Sequence, residues 1–265
     1  MNIINNLFPN GLHRCLTMSY DDGFQSDIRL AQIFDEYGIK GTFNLNSREL
    51  NSYPYLSDND VITYLKNHEV AVHTRTHPFL TALPDLSVLY QILDDKEVLE
   101  YLCGYIIRGM AYPYGIYDDH VISIAKNCQM EYGRTAADTN DFHVPVDFMK
   151  WNPTTHHNNS NLINLWRQFL TFNDQSPLLF MVWGHSFEFE IQNNWSIIEE
   201  FCKTAGLQGD IWYATNIQVK DYLTAVNSLI LSANQRIIMN PTSIDVWISI
   251  DNHPYSIKAG STVYL

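Results

Sequence analysis

Strand-like apolar runs alternate with helix-like segments through most of this 265-residue chain, and that alternation limits the folds open to it. Cys15–Met18 reads as a strand running into Ser19-Tyr20-Asp21-Asp22-Gly23. Phe24 to Tyr37 then places Ile28, Leu30, Ala31, Ile33 and Phe34 at largely helical spacing, and Gly38 closes that helix. Gly41–Asn46 reads as a strand, Asp58–Asn67 as a helix, Glu69–His73 as a strand and Asp85–Leu102 as a longer helix. Ile106–Tyr112 is a strand ending in the turn signal Pro113-Tyr114-Gly115. Tyr117–Asn127 is helical and Met130–Thr135 strand-like; after a polar loop, Val146–Trp151 is read as a strand and Asn158–Phe172 as an amphipathic helix. Leu178–Trp183 is unbroken apolar sequence, as expected of a strand buried on both faces. Trp195–Ala205 and Ile217–Asn227 are helical and flank a short strand, Ile211–Tyr213. About seven strands alternating with helices suit an α/β fold with a closed or nearly closed (β/α) barrel; an open doubly wound sheet is the alternative.

From Leu229 the pattern changes to short β-like stretches separated by Asn240-Pro241, Asp251-Asn252 and Ala259-Gly260. We therefore expect a barrel over residues 1–228. Residues 229–265 should form a small β appendage of two to four strands, packed on the barrel rather than acting as a separate sugar-binding module.

The net charge of −13 argues against nucleic acid or an anionic membrane as partner, since both need basic surface. Neutral substrates, or a cation, are favoured over strongly anionic polymers. Cys15, Cys103, Cys128 and Cys202 form no C-x-x-C pair, so buried free thiols are expected. The start Met1–Asn6 lacks a basic, apolar leader, which reads as a cytoplasmic chain with no signal peptide, and no run of about 18 apolar residues is present. No glycine-rich phosphate-binding motif occurs.

Asp21 and Asp22 stand side by side at the end of a buried strand, where two carboxylates repel each other and lose water unless a cation is present. An ordinary turn is the commoner meaning of Asp-Asp-Gly, but less so directly after an apolar strand. His73 and His77 also follow a predicted strand, four residues apart. In an α/β barrel this is the end where active sites are built. Two histidines and one aspartate make a three-ligand set for a divalent metal with positions left open for water and substrate. The second aspartate is then free to act as a general base. His185 follows another strand and is a candidate general acid.

These residues resemble the polysaccharide deacetylases of carbohydrate esterase family 4, whose shared region is the NodB homology domain. Ser19-Tyr20-Asp21-Asp22-Gly23 matches the first family motif, His73-Thr74-Arg75-Thr76-His77-Pro78 the second, and Val182-Trp183-Gly184-His185 the late Leu-x-x-His-type motif. The resemblance covers about residues 12 to 225. It implies an irregular (β/α) barrel, a metal, usually zinc, on Asp22, His73 and His77, Asp21 as catalytic base and His185 as catalytic acid. The implied reaction is metal-dependent removal of an acetyl group from an N-acetylated sugar. Hydrolysis of another small amide or ester is an alternative, as is a catalytically silent carbohydrate-binding protein. Tyr112, Pro113, Tyr114, Trp151 and Trp183 are expected at the substrate, while His156 and His157 read equally as substrate contacts or as exposed loop residues.

One departure stands out. The third family motif carries an arginine that holds the base, and here Ala111-Tyr112-Pro113-Tyr114-Gly115 has alanine at that place. Arg108 and Arg75 are the substitutes the sequence offers, although strand parity puts Arg108 on the face opposite residue 111.

Overall fold

The computed structural model describes residues 4–265. Met1–Ile3, the start of the stretch read as lacking a leader, lie outside the described residues. A short strand β1 (Ile4–Leu7) precedes the first long strand β2 (Arg14–Asp22). There follow α1 (Ser26–Glu36), β3 (Gly41–Leu45), α2 (Asp58–Tyr64), β4 (Glu69–Val72), α3 (Asp85–Cys103), β5 (Gly109–Ala111), α4 (Asp119–Asn127) and β6 (Tyr132–Arg134). Then come β7 (Thr155–His156), α5 (Leu162–Thr171), β8 (Leu178–Gly184), α6 (Phe187–Gln192), α7 (Ser196–Ala205), β9 (Ile211–Tyr213) and α8 (Asn216–Asn227).

Seven strands lie in the order β6-β5-β4-β3-β2-β8-β7, every pairing parallel. An eighth, β9, pairs with the first residues of β2, while β3 pairs with its last. Between the two ends of this path, Trp151 bridges Arg134 and Thr155 pairs with Val182, so residues 151–156 span from β6 to β8. The expected irregular barrel of parallel strands is borne out. The stretch read as a strand over Val146–Trp151 is instead a 3-10 turn, Phe148–Lys150, followed by that single bridge. The sequence there offers no alternation for a ladder, and Asp147 caps the turn by accepting the Met149 N–H.

The barrel interior is polar, and the alternation of strand side chains explains why. Thr17, Ser19 and Asp21 of β2, Thr42 and Asn44 of β3, Glu69 of β4, and Tyr132 and Arg134 of β6 are all buried. They bond one another and the start of α8: the Thr17 hydroxyl donates to Asn216, and the hydroxyls of Thr42 and Tyr132 donate to Glu69 at 2.9 and 2.7 Å. Apolar residues on the opposite faces pack under the helices, with Phe34, Val72, Trp166 and Phe180 in one continuous core.

The C-terminal stretch holds five strands rather than two to four, in two small antiparallel sheets. One combines β10 (Ile230–Leu231), β11 (Ile237–Met239) and β14 (Thr262–Tyr264). The other combines β12 (Val246–Ile250) and β13 (His253–Ile257) with β1 from the other end of the chain. Ile238, Val246, Ile248 and Ile257 share a buried cluster with Phe8 and with Val219 and Tyr222 of α8.

Candidate active site

Each residue singled out for chemistry sits at or just past the carboxyl end of a parallel strand. Neighbouring residues of a strand point to opposite faces, so Asp21 and Asp22 would ordinarily diverge. Asp22 takes φ 79° and Gly23 φ 76°, both left-handed, and the chain leaves strand geometry at that point. Both carboxylates then reach one neighbourhood: Nε2 of His73 is 3.6 Å from Asp22 Oδ1 and 3.9 Å from Asp21 Oδ2. His77 Nε2 is 3.7 Å from the same Asp22 Oδ1.

Asp22, His73 and His77 each offer a ligand atom, all within 4.8 Å of one another, so they could hold a metal ion. The His73 ring is set for this role. Its Nδ1 donates to the carbonyl of Ala111 at 2.9 Å, which fixes the tautomer and leaves Nε2 bare toward Asp22. The loop carrying both histidines is braced from below. Asn46 Nδ2 donates to the carbonyls of His73 and Thr74 at 2.6 and 2.7 Å, and Asp95 of α3 accepts the His73 N–H at 3.1 Å. Thr74 and His77 are held at φ 67° and 53°.

The arginine missing from position 111 is supplied by Arg134. In the parallel register Ala111 lies directly beside Arg134, and the guanidinium bonds both oxygens of Asp21. A small residue on β5 makes room for the neighbouring β6 side chain Tyr132. A Cβ added to Gly109 would stand 2.1 Å from the Tyr132 ring, and Ala71 and Ala111 share the parity of the inward-facing His73 and Gly109. The Arg134 guanidinium also packs 4.9 Å from the centre of the Trp183 ring. Burial by itself would raise the Asp21 carboxyl, but the Arg134 charge, with those of His73 and His185, outweighs it and holds the group down to about 2. Asn44 adds a bond to Asp21 Oδ1 at 2.9 Å.

Neither substitute suggested by the sequence reaches Asp21. Arg75 bonds Asp94 at 2.7 Å on the surface, and Arg108 bonds Asp221 and Glu131 outside the barrel, as its parity requires. Arg134 lies within the strand read over Met130–Thr135, but its pairing with position 111 depends on a register that sequence does not reveal.

His185 faces the site from β8, its Nε2 3.9 Å from Asp22 Oδ2. Its Nδ1 lies 3.1 Å from Glu188 Oε1, on a short helix that the sequence reading did not include. Glu188 is a hub: its other oxygen accepts from Asn158 Nδ2 at 2.8 Å and lies 3.0 and 3.5 Å from Nε2 of His157 and His156. Burial alone would raise this carboxyl, but the protons of His157 and His185 hold it well below the usual range. His185 is shifted the other way overall: burial disfavours its charge, and Glu188, Asp21 and Asp22 together raise it. His156, His157 and Glu188 are close enough to hold an ion as well. However, His156 Nδ1 accepts the Asn158 N–H, which puts the ring's proton on the Nε2 that lies 3.5 Å from Glu188, so that nitrogen has no lone pair to offer an ion. His157 is fully buried, not exposed, and its ring stands where a side chain on Gly184 would go.

The residues expected at the substrate divide. Tyr114 is half exposed, lies edge-on to His77 and stacks on the exposed Phe79 at 4.0 Å. Trp183 is partly open, with its indole N–H bonded to Asp138. Tyr112 and Trp151 are core residues instead: the Tyr112 hydroxyl donates to the Met149 carbonyl, and Trp151 packs edge-on to Tyr132 and Phe148. Pro113 is buried in its turn. An aromatic beside a motif marks a pocket wall or a packing residue alike, and only burial separates the two.

The profile of the family described as polysaccharide deacetylase matches residues 10–133, a span holding the first two motifs. Among curated proteins, a chitin deacetylase of Cryptococcus neoformans is 29% identical over 138 residues, which cover 48% of this chain and 29% of that protein. A chitooligosaccharide deacetylase of Sinorhizobium fredii is 27% identical over 132 residues, covering 48% of this chain and 60% of the relative. The matched span is thus less than two thirds of either relative. A solved structure from Mycobacterium smegmatis, ascribed to the polysaccharide deacetylases, superposes with a TM-score of 0.63 at 16% identity, covering 84% of this chain and 94% of that one; it bears on the fold. Among the described residues no helix is long and apolar enough to cross a membrane.

Proposed function

We propose that the chain, whose residues 10–133 match the polysaccharide deacetylase profile, is a metal-dependent hydrolase that removes acetyl groups from an N-acetylated carbohydrate. The observation that carries this reading is the convergence of three functions on Asp22: a cation-ligating trio, a carboxylate held ionised beside it, and a histidine facing its other oxygen.

Asp22, His73 and His77 would hold the ion, for which zinc suits the nitrogen and oxygen donors. Bound there, it would supply a Lewis acid that polarises the acetyl carbonyl and acidifies water. Asp21 accepts the water's proton. Arg134 keeps that carboxylate ionised and fixed in orientation, and a base must be deprotonated before it can act. His185 donates a proton to the departing nitrogen, with Glu188 fixing Nδ1 so that Nε2 carries the transferable proton. A neutral sugar accords with a chain of net charge −13.

An alanine at position 111 suggests a silent binding protein as the alternative, and the pairing of Arg134 with Asp21 weighs against it. Binding alone requires neither a paired base nor a carboxylate-backed histidine. The test is acetate release from fully N-acetylated chitin oligosaccharides by the wild type and by Asp21→Asn. Loss of about a hundredfold or more in the variant is expected. Sugar binding without acetate release from the wild type would sink the enzyme reading.

A further inference from the structure

We propose that the outer face of α3 is the docking surface for a second copy of this chain, which packs its own α3 antiparallel about a two-fold axis beside Leu93.

Helix α3 carries apolar residues all round, as helices covered on every side do. Its Val88, Ile92 and Leu99 are buried against the barrel, yet nothing among the described residues covers the opposite face. At about 100° per residue, Leu86, Tyr90, Leu93, Glu97 and Tyr101 form one stripe pointing directly away from that core. Leu86 is 62% exposed, Tyr90 54% and Tyr101 88%. An exposed leucine by itself is ordinary, but four large apolar side chains lined up over about 22 Å of one helix mark a contact surface.

The stripe is complementary to itself. A two-fold axis makes each contact reciprocal, so residues equally far on either side of the axis meet. With the axis between positions 93 and 94, Leu86 falls opposite Tyr101 of the partner subunit and Tyr90 opposite Glu97 of the partner subunit, while the two Leu93 side chains meet at the centre. Glu97 is the one charged residue of the stripe. Among the described residues neither its carboxylate nor the Tyr90 hydroxyl has a bonding partner. Two turns apart on one helix, these groups cannot reach each other. Across the axis the hydroxyl can donate to the carboxylate, twice per dimer. A parallel pairing would instead set the two Glu97 charges against each other.

Area and charge favour this occupant. The four apolar side chains offer on the order of 500 Å² per copy, so a pair buries about 1,000 Å², the lower bound for a specific interface. An anionic membrane fits poorly, because Lys96, the only basic residue of α3, is buried and donates to the Cys128 carbonyl at 3.2 Å. Two copies of net charge −13 repel each other at a distance, so added salt should tighten the pair.

The experiment is sedimentation velocity of the wild type at about 1–200 µM protein, in about 0.05 and 0.5 M NaCl. A concentration-dependent dimer with a micromolar dissociation constant is expected, tighter at the higher salt. Leu93→Asp, and independently Leu86→Ser combined with Tyr101→Ser, should weaken it about tenfold or more, with circular dichroism checking that each variant is folded. Under mild oxidation, a mixture of Tyr90→Cys and Glu97→Cys chains should form an intermolecular disulfide that neither variant alone nor the wild type forms. A wild type that stays monomeric throughout overturns the proposal and leaves the face to a different protein, or to a membrane if the chain cosediments with phosphatidylcholine vesicles. A dimer that neither set of substitutions weakens overturns the assignment to α3. A mixture that bridges no more than the single variants do overturns the antiparallel register.

Discussion

The guanidinium of Arg134 grips both oxygens of Asp21 from the strand beside the one that carries Ala111. Both partners are almost wholly buried, so removing either leaves an uncompensated charge in the barrel. Arg134→Ala should cost about 3–5 kcal/mol of stability, read by urea unfolding, and about a hundredfold or more in kcat. Added guanidinium at concentrations below denaturation should restore part of the rate to Arg134→Ala and none to Asp21→Asn.

Ala111 matters because it is small. Ala111→Arg puts a second guanidinium into space that Arg134 already fills, so it should destabilise by about 1–3 kcal/mol through overpacking and impair turnover. Combining it with Arg134→Ala should recover part of both losses. A double-mutant cycle on the two positions checks this through a large non-additive interaction.

Glu188 is expected to act through His185. Loss of its charge in Glu188→Gln removes one of the groups that raise His185, so that residue's pKa falls. An acid must be protonated to work, so the alkaline limb of the kcat/KM profile should move to lower pH. Asn158→Ala, which removes another bond to Glu188, should shift the limb less.

His77→Ala should reduce bound metal after reloading to well below one equivalent, measured on the purified protein by elemental analysis. Phe79→Ala, which removes the ring stacked on Tyr114 but no ligand, should keep its metal. Equal metal content in the two variants would remove Asp22, His73 and His77 from the ligand assignment.

Glu69 lies deep in the barrel, where burial raises its carboxyl to about 7 despite bonds from the Ile217 N–H, Tyr132 and Thr42. Between about 4.5 and 7 the unfolded chain has lost this proton and the folded chain retains it, so stability falls as pH rises through that window. The loss is about 3 kcal/mol at 1.36 kcal/mol per pKa unit, and it stays constant above the window. Glu69→Gln should flatten that slope and be the more stable form at pH 8, as denaturant midpoints at pH 5 and 8 would reveal.

How much could be read beforehand depended on how local each signal was. The barrel was legible because apolar runs such as Leu178–Trp183 and their intervening helices each carry their own periodicity. Asp21, Asp22, His73, His77 and His185 were legible because each stands directly after such a run. Arg134 and Glu188 were missed for different reasons. Arg134 acts across a register between strands, and Glu188 lies on a six-residue helix, too short for a periodic pattern to show. Tyr112 and Trp151 were placed at the substrate because an aromatic near a motif looks the same whether it faces the cavity or the core. The third sheet strand paired by β12 came from the chain's first residues, a contact no local pattern announces.

The hexapeptide His73–Pro78 owes its shape to residues outside itself. Thr74 and His77 hold left-handed torsions that neither residue favours, and Asn46 and Asp95 pin the backbone from β3's end and from α3. The motif is therefore not portable: transplanted to another barrel without its asparagine and its buried aspartate, it would bring both imidazoles and lose the angle between them. A designer borrowing this centre should copy the two anchors before the two histidines.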